Sequence, residues 1–137
     1  MSVRFVVVCA AFCGFAAAAA AQSAVLTARE ARQALFGIEM AGIYEGDGSR
    51  WRECIEPGGR TAYLMDGAFD EGRLTINAAG EACFSYRSSG YRAQSCFAVR
   101  REGSGFRFNS GPDAPDFVTT EVRRGVRACS GSNAPIS

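Results

Sequence analysis

The 137-residue chain contains no histidine and no lysine. Without an imidazole, Ser-His-Asp and Cys-His arrangements have no base that changes protonation near neutral pH, because no other side chain present does so at its unperturbed pKa. Without lysine there is no Schiff-base nucleophile. What remains for catalysis is a carboxylate pair, an activated tyrosine or a thiolate, each dependent on an environment that sequence does not display. C-x-x-C pairs are also missing. Cys54, Cys83, Cys96 and Cys129 are widely spaced, unlike the close pairs that build structural zinc sites. Glu45-Gly-Asp-Gly48 lacks the alternating oxygen ligands and distant bidentate glutamate of a calcium loop. No metal, no cofactor and no catalytic residue is assigned. Repeats of the length used by solenoids and propellers are absent as well.

The N-terminus is a different texture from the rest. Met1 to Arg4 is a short basic start, Phe5 to Phe15 an apolar run, and Ala16 to Ala21 a small-residue A-x-A segment. That order predicts a signal peptide, residues 1–21, removed after Ala21. The run is short and lacks the basic stop-transfer cluster of a membrane anchor. Cys9 and Cys13 would leave with it, and no cysteine stands where a lipoprotein would need one. Taking 21 residues from 137 leaves 116, residues 22–137, which is the size of one domain with a single core. Arg4 is one of the 15 basic residues, so 14 remain against 14 acidic ones, and a neutral domain offers no electrostatic footprint for nucleic acid. A periplasmic or secreted location, with no transmembrane span in the mature chain, makes oxidised cysteines the expectation.

One helix is expected within Ser23 to Phe36. Thr27 and Glu30 form a T-x-x-E capping box, Gly37 is the stop, and Val25, Leu26, Ala31, Ala34 and Leu35 give an apolar stripe that would pack on a sheet. From Glu39 onward, short segments rich in aromatic and β-branched residues are punctuated by glycine-containing turns. Strands are predicted at Glu39 to Tyr44, Arg50 to Ile55, Thr61 to Met65, Gly72 to Ile76, Ala82 to Arg87, Ala93 to Arg100, Phe106 to Asn109 and Phe117 to Arg123. Trp51, Glu53 and Ile55 alternate with Arg52, Cys54 and Glu56, as do Phe106 and Phe108 with Arg107 and Asn109, so one face is apolar. The fold class is mainly β: a single antiparallel meander of about eight strands, forming a small barrel or a sandwich, with the helix over an open end or edge. Residues 124–137 are expected to be a partly ordered tail tied by Cys129.

The stretch from Gly80 to Arg100 carries a register. A two-residue turn at Ser89-Gly90 pairs residues whose numbers sum to 179, placing Cys83 opposite Cys96 in a non-hydrogen-bonded pair that brings Cα atoms close enough for a disulfide. Cys54 with Cys129 follows by elimination. The same register sets Arg87 against Arg92, an unfavourable facing of like charges, and puts Ala82, Phe84, Tyr86, Ala93, Phe97 and Val99 on one apolar face. These cysteines are read as structural rather than reactive.

Asp66, Asp70 and Glu71 are close in sequence and are the candidates for a small carboxylate-dependent hydrolase, although acidic residues flanking turns usually face solvent. Tyr44, Trp51, Tyr63, Tyr86, Phe106 and Phe108 are read as core filling, with an aromatic barrel mouth as the alternative, and Tyr91 is the exception, expected at the exposed hairpin end. Ser88, Ser89, Gly90, Tyr91 and Arg92 at the hairpin tip form a possible interaction loop. The favoured function is a non-enzymatic binding or interaction protein whose partner is a small ligand, an envelope component or another protein.

The order of the Leu26-Thr-Ala-Arg-Glu30 helix, Gly42 to Gly48, Trp51, Pro57-Gly-Gly59, Tyr63, Gly67, Gly80 to Cys83-Phe-Ser-Tyr86, Cys96-Phe97 and Phe106-Arg-Phe108 resembles a group of small exported proteobacterial β-proteins of unknown function. The resemblance implies export, the cysteine pair and the sheet, and brings no functional residues. The paired cysteines, small barrel and Ser88–Tyr91 loop are also similar to periplasmic lysozyme inhibitors, which insert a loop into an enzyme cleft.

Overall fold

The computed structural model describes residues 23–130. The expected signal peptide, residues 1–21, lies outside the described residues, as does the end of the expected tail. Eight strands, β1 (Ile38–Tyr44), β2 (Arg50–Ile55), β3 (Arg60–Met65), β4 (Ala68–Ile76), β5 (Ala82–Tyr86), β6 (Ser95–Glu102), β7 (Gly105–Asn109) and β8 (Phe117–Arg124), pair antiparallel in sequence order, and β8 returns to β1 to close a barrel. Closure leaves no unpaired sheet edge. Between the two architectures the sequence allowed, the chain adopts the barrel.

The strands fall close to their expected ranges, with β4 the main departure. It begins at Ala68, before Gly72, because Asp66 and Gly67 both take positive φ (49° and 83°) and Met65 pairs directly with Ala68. A two-residue turn of this hand matches the twist of the strands it joins. Asp70 and Glu71 therefore lie within a strand.

Helix α1 (Ala28–Leu35) starts where the capping box predicts. Thr27 Oγ1 accepts from the Glu30 backbone N–H at 3.3 Å, and the Thr27 N–H donates to Glu30 Oε2 at 2.8 Å. Eight residues are too few to hold a helix in isolation. Here Ala31, Ala34 and Leu35 are buried in one cluster with Ile38, Ile55, Ile76, Val99 and Phe106, so α1 plugs one end of the barrel. Arg32 donates to the Ile76 carbonyl (3.2 Å) and Arg124 to the Ala34 carbonyl (3.4 Å), tying the plug to the wall. Val25 and Leu26 were expected on the helical stripe, but the cap at Thr27 starts the helix after them. Val25 forms an isolated bridge to Arg100, and the Leu26 N–H donates to the Val99 carbonyl at 2.8 Å.

Both disulfides form as the spacing predicts. Cys83 and Cys96 are opposed with Cα atoms 4.0 Å apart, flanked by Ala82 with Phe97 and Phe84 with Ser95. Cys54 joins Cys129 with Cα atoms 5.7 Å apart. The segment around Cys129 is also held by Val126 N–H to Gly37 O (2.9 Å) and by Cys129 N–H to Glu56 Oε1 (2.9 Å).

The β5–β6 register is as expected, but the turn is not. Pairing stops at Phe84 with Ser95, and residues 87–94 form a longer loop that opens with a 3-10 turn at Arg87–Ser89. The cause is non-local. Asp70 on β4 accepts from the Ser88 backbone N–H (3.2 Å) and from its hydroxyl, drawing the chain off the ladder. Arg87 meets Glu71 at 3.3 Å, so it is not set against Arg92. Ala93, expected on the inner face, is exposed in this loop. Ala82, Phe84, Tyr86, Phe97 and Val99 do belong to the interior.

Candidate ligand cavity in the barrel mouth

The inward positions at the end away from α1 are mostly aromatic. Met40 of β1, Trp51 and Glu53 of β2, Tyr63 of β3, and Phe84 and Tyr86 of β5 line one side of a cavity of about 200 Å³. Ser95 and Phe97 of β6, Phe108 of β7 and Phe117 of β8 complete it. Each side chain projects inward because strand residues alternate between faces with a period of two.

Gly42, the β1 partner of Trp51, makes room for the indole. A Cβ at Gly42 would stand 2.0 Å from the Val118 carbonyl oxygen and 2.7 Å from the Trp51 ring. The rings then pack edge to face: Trp51 with Phe108 at 89°, Phe97 with Phe108 at 88° and Phe97 with Phe117 at 80°. Such contacts fix ring orientation beyond what burial alone does. The floor is deep, with Met40, Trp51, Glu53, Phe84 and Phe108 all buried. Tyr63, Tyr86, Phe97 and Phe117 are half-buried, and Ser95 is exposed, so the cavity reaches solvent at the foot of the 87–94 loop.

Glu53 is the unusual member. It is only 3 % exposed, and its β-sheet neighbours are Met40 on one side and Tyr63 on the other. Oε2 accepts from the Tyr86 hydroxyl at 2.9 Å, while Oε1 is buried with no hydrogen-bond partner. Trp51 Nε1 and Thr61 Oγ1 are likewise buried and unpartnered. Burial pushes the Glu53 carboxyl up to about 8; the Tyr86 hydrogen bond opposes it, as does the Thr61 hydroxyl, which lies near the carboxyl but outside hydrogen-bond geometry, and the negative charge of Asp70 adds to the rise. Burial, with the Glu53 and Asp66 charges behind it, pushes Tyr63 up to about 12. Tyr86 is driven higher still by burial first and the Glu53 charge second. At neutral pH both phenols are neutral donors. Glu53 is a largely protonated acid that ionises one unit higher.

The sequence-predicted acidic candidates do not converge. Asp66 is at an exposed turn. Asp70 and Glu71, adjacent on β4, point to opposite faces: Asp70 holds Ser88, and Glu71 pairs with Arg60 (3.9 Å) and Arg87 (3.3 Å). The predicted interaction loop is exposed at Ser88, Ser89, Gly90, Tyr91 and Arg92 and is ordered by its own bonds. Ser89 Oγ donates to Tyr86 O at 2.8 Å, the Tyr91 N–H to the same carbonyl at 3.0 Å, and the Arg92 N–H to Ser89 O at 3.4 Å.

Of the aromatics read as core filling, Trp51 and Phe108 are buried in the core and Tyr63 and Tyr86 pack against it, and all four also line the cavity. Tyr44 packs on Phe117 at 4.6 Å, Tyr91 is 50 % exposed, and Phe106 is fully buried at the helix end. Glu53 was not singled out from sequence, although its place between Trp51 and Ile55 on the apolar face was the available signal.

Among the described residues there is no cluster of three or more His, Cys, Asp or Glu suited to a metal, and no helix long and apolar enough to cross a membrane. No family model, no curated protein and no solved structure matches the chain.

Proposed function

We propose that the mature chain is a non-enzymatic, exported binding protein that holds a small organic ligand in the barrel mouth. The observation that carries this reading is Glu53, a buried carboxyl among the aromatic side chains that line a cavity opening at Ser95, its Oε1 without a hydrogen-bond partner. Buried polar groups are nearly always satisfied, and one beside a cavity open to solvent is met by water or by a ligand that displaces it, so Glu53 offers a polar anchor in an otherwise apolar wall. The size is informative. A cavity of about 150 Å³ takes a benzene molecule, so one of about 200 Å³ suits a substituted monocyclic compound or an aliphatic one of equal bulk. Divergence of Asp66, Asp70 and Glu71 favours binding over hydrolysis, which needs two carboxyl groups across one cleft. Export to the periplasm or beyond is supported by the 1–21 leader pattern and by two disulfides among the described residues.

Trp51 is the sole tryptophan and lines the cavity, so its fluorescence reports occupancy. Titrating residues 22–137 with benzyl alcohol, benzylamine and cyclohexanol should give a saturable change with at least one. No saturable change with any of the three would overturn the reading.

A second reading, a protein partner met by the 87–94 loop, is favoured by Tyr91, half exposed and held at φ 59° at the tip. Micromolar mature protein in a lysozyme assay tests its inhibitor form. Undiminished lysis would remove that form.

A further inference from the structure

Resting on the cavity reading, the charge pattern of the chain narrows the ligand class. Arginines serve the surface carboxylates. Arg52 and Arg123 face Glu39, Arg60 meets Glu56 at 2.7 Å, and Arg87 meets Glu71. Arg107 gathers Glu45, Glu102 and Asp116 within 3.2 Å. Glu53 is the buried carboxyl of the set, and among the described residues no arginine lines its cavity. The groups that face it are Thr61 and Tyr63 from β3, Tyr86 from β5 and Asp70 at the rim of β4. From β1 it meets Met40, which does not titrate. All of these are neutral or negative. The remaining wall is aromatic, and its neighbouring rings stand nearly perpendicular, so π faces are turned in more than one direction.

We propose that the cavity binds a small organic cation, a protonated primary or secondary amine of about the bulk of a substituted benzene, with Glu53 as its counter-ion. The ammonium N–H donates to the Glu53 carboxylate while Tyr86 keeps its bond to Oε2, and the aromatic wall takes the cation and its apolar body. Neutral acceptor ligands would use the same space in another way, taking a hydrogen bond from the protonated acid. The two classes separate by proton balance. Below pH 8 the empty site holds Glu53 protonated, so each ammonium ion that binds expels one proton to solvent. Affinity then rises with pH by up to about tenfold per unit, levels off above 8, and falls again once the amine itself loses its proton. A neutral acceptor would show no pH dependence below 8 and weaker binding above it.

Isothermal titration of residues 22–137 with benzylamine and with benzyl alcohol, at pH 6, 7, 8 and 9 and in two buffers of different ionisation enthalpy, tests this. The expected result is benzylamine binding that strengthens from pH 6 to 8, with about one proton released per ligand at pH 6. Glu53→Gln should weaken benzylamine roughly 30-fold or more at pH 8 and abolish the proton release. The buffer comparison uses the unaltered protein, so it stands even if the variant folds poorly. Binding of the alcohol without the amine, or amine binding without proton release, would overturn the cation assignment and leave the cavity reading intact. Binding of neither would overturn both.

Discussion

Replacing Glu53 by glutamine isolates a stability term that the composition makes unusually clean to measure. In the folded chain the carboxyl is pushed up to about 8, against 4.5 for the exposed group. Between those values the native state keeps the proton and the unfolded chain does not, so folding is disfavoured progressively as pH rises. The slope approaches about 1.4 kcal/mol per pH unit, and across the window the loss is on the order of 4–5 kcal/mol, complete once pH exceeds the folded value. Carboxylates whose pKa is lowered, such as Glu56 and Glu102, act in the opposite sense and only below their ordinary values, so they add nothing here. Histidine, the usual source of a slope in this range, is absent, and the four cysteines among the described residues are in disulfides.

Glutamine matches the shape and still offers an oxygen to the Tyr86 hydroxyl, but it does not ionise. Urea midpoints of residues 22–137 and of Glu53→Gln, taken at unit steps from pH 5 to pH 9, give the two curves. The unaltered chain should lose stability steadily up to about pH 8, and the variant should be nearly flat, close to the parent at pH 5 and several kcal/mol more stable at pH 8. A flat curve for the parent, or an equal slope in the variant, would refute the claim that Glu53 is buried without a compensating cation.

The two disulfides should differ in weight. On the chain-entropy model, serine at both Cys83 and Cys96, 13 positions apart, removes about 3 kcal/mol, and serine at both Cys54 and Cys129, 75 apart, removes about 4.5 kcal/mol; denaturant midpoints in the reverse order would contradict it. Gly42→Ala should cost roughly 1–3 kcal/mol and shift Trp51 emission, since its Cβ meets both the Val118 carbonyl and the indole, whereas Gly58→Ala, with nothing within 4 Å, should stay within about 0.5 kcal/mol of the parent.

The strands were readable because glycine-rich turns separate segments that alternate with period two, and the β5–β6 register because two cysteine positions sum to the same number as their flanking pairs. The loop beyond that register was not readable. Its shape depends on Asp70, 18 residues before Ser88, and only the β4–β5 pairing brings the two together. The cavity was hidden for a related reason. Phe106 and Phe108 are two apart on one inward face, yet Phe106 lies beneath Arg124, which bonds to the Ala34 carbonyl of α1, and Phe108 lines the mouth. Which aromatics fill the barrel and which enclose space depends on the end that the helix covers, and local periodicity does not encode that.

Excluding neutral-pH proton chemistry from the lack of histidine holds for side chains at their ordinary pKa values, and β2 is where that condition fails. In Arg50-Trp51-Arg52-Glu53-Cys54-Ile55 the alternation that turns Trp51 and Ile55 inward must turn Glu53 inward with them and send Arg50 and Arg52 out. Slipping the register by one would pair Glu53 with solvent and its arginine neighbours with the core, at the cost of exposing Trp51 and Ile55. The apolar pair fixes the register, and the register separates the carboxyl from the two cations that precede it on the strand. Barrel closure then removes water from Glu53, and burial, with the Asp70 charge behind it, lifts its titration into the range that histidine would otherwise occupy.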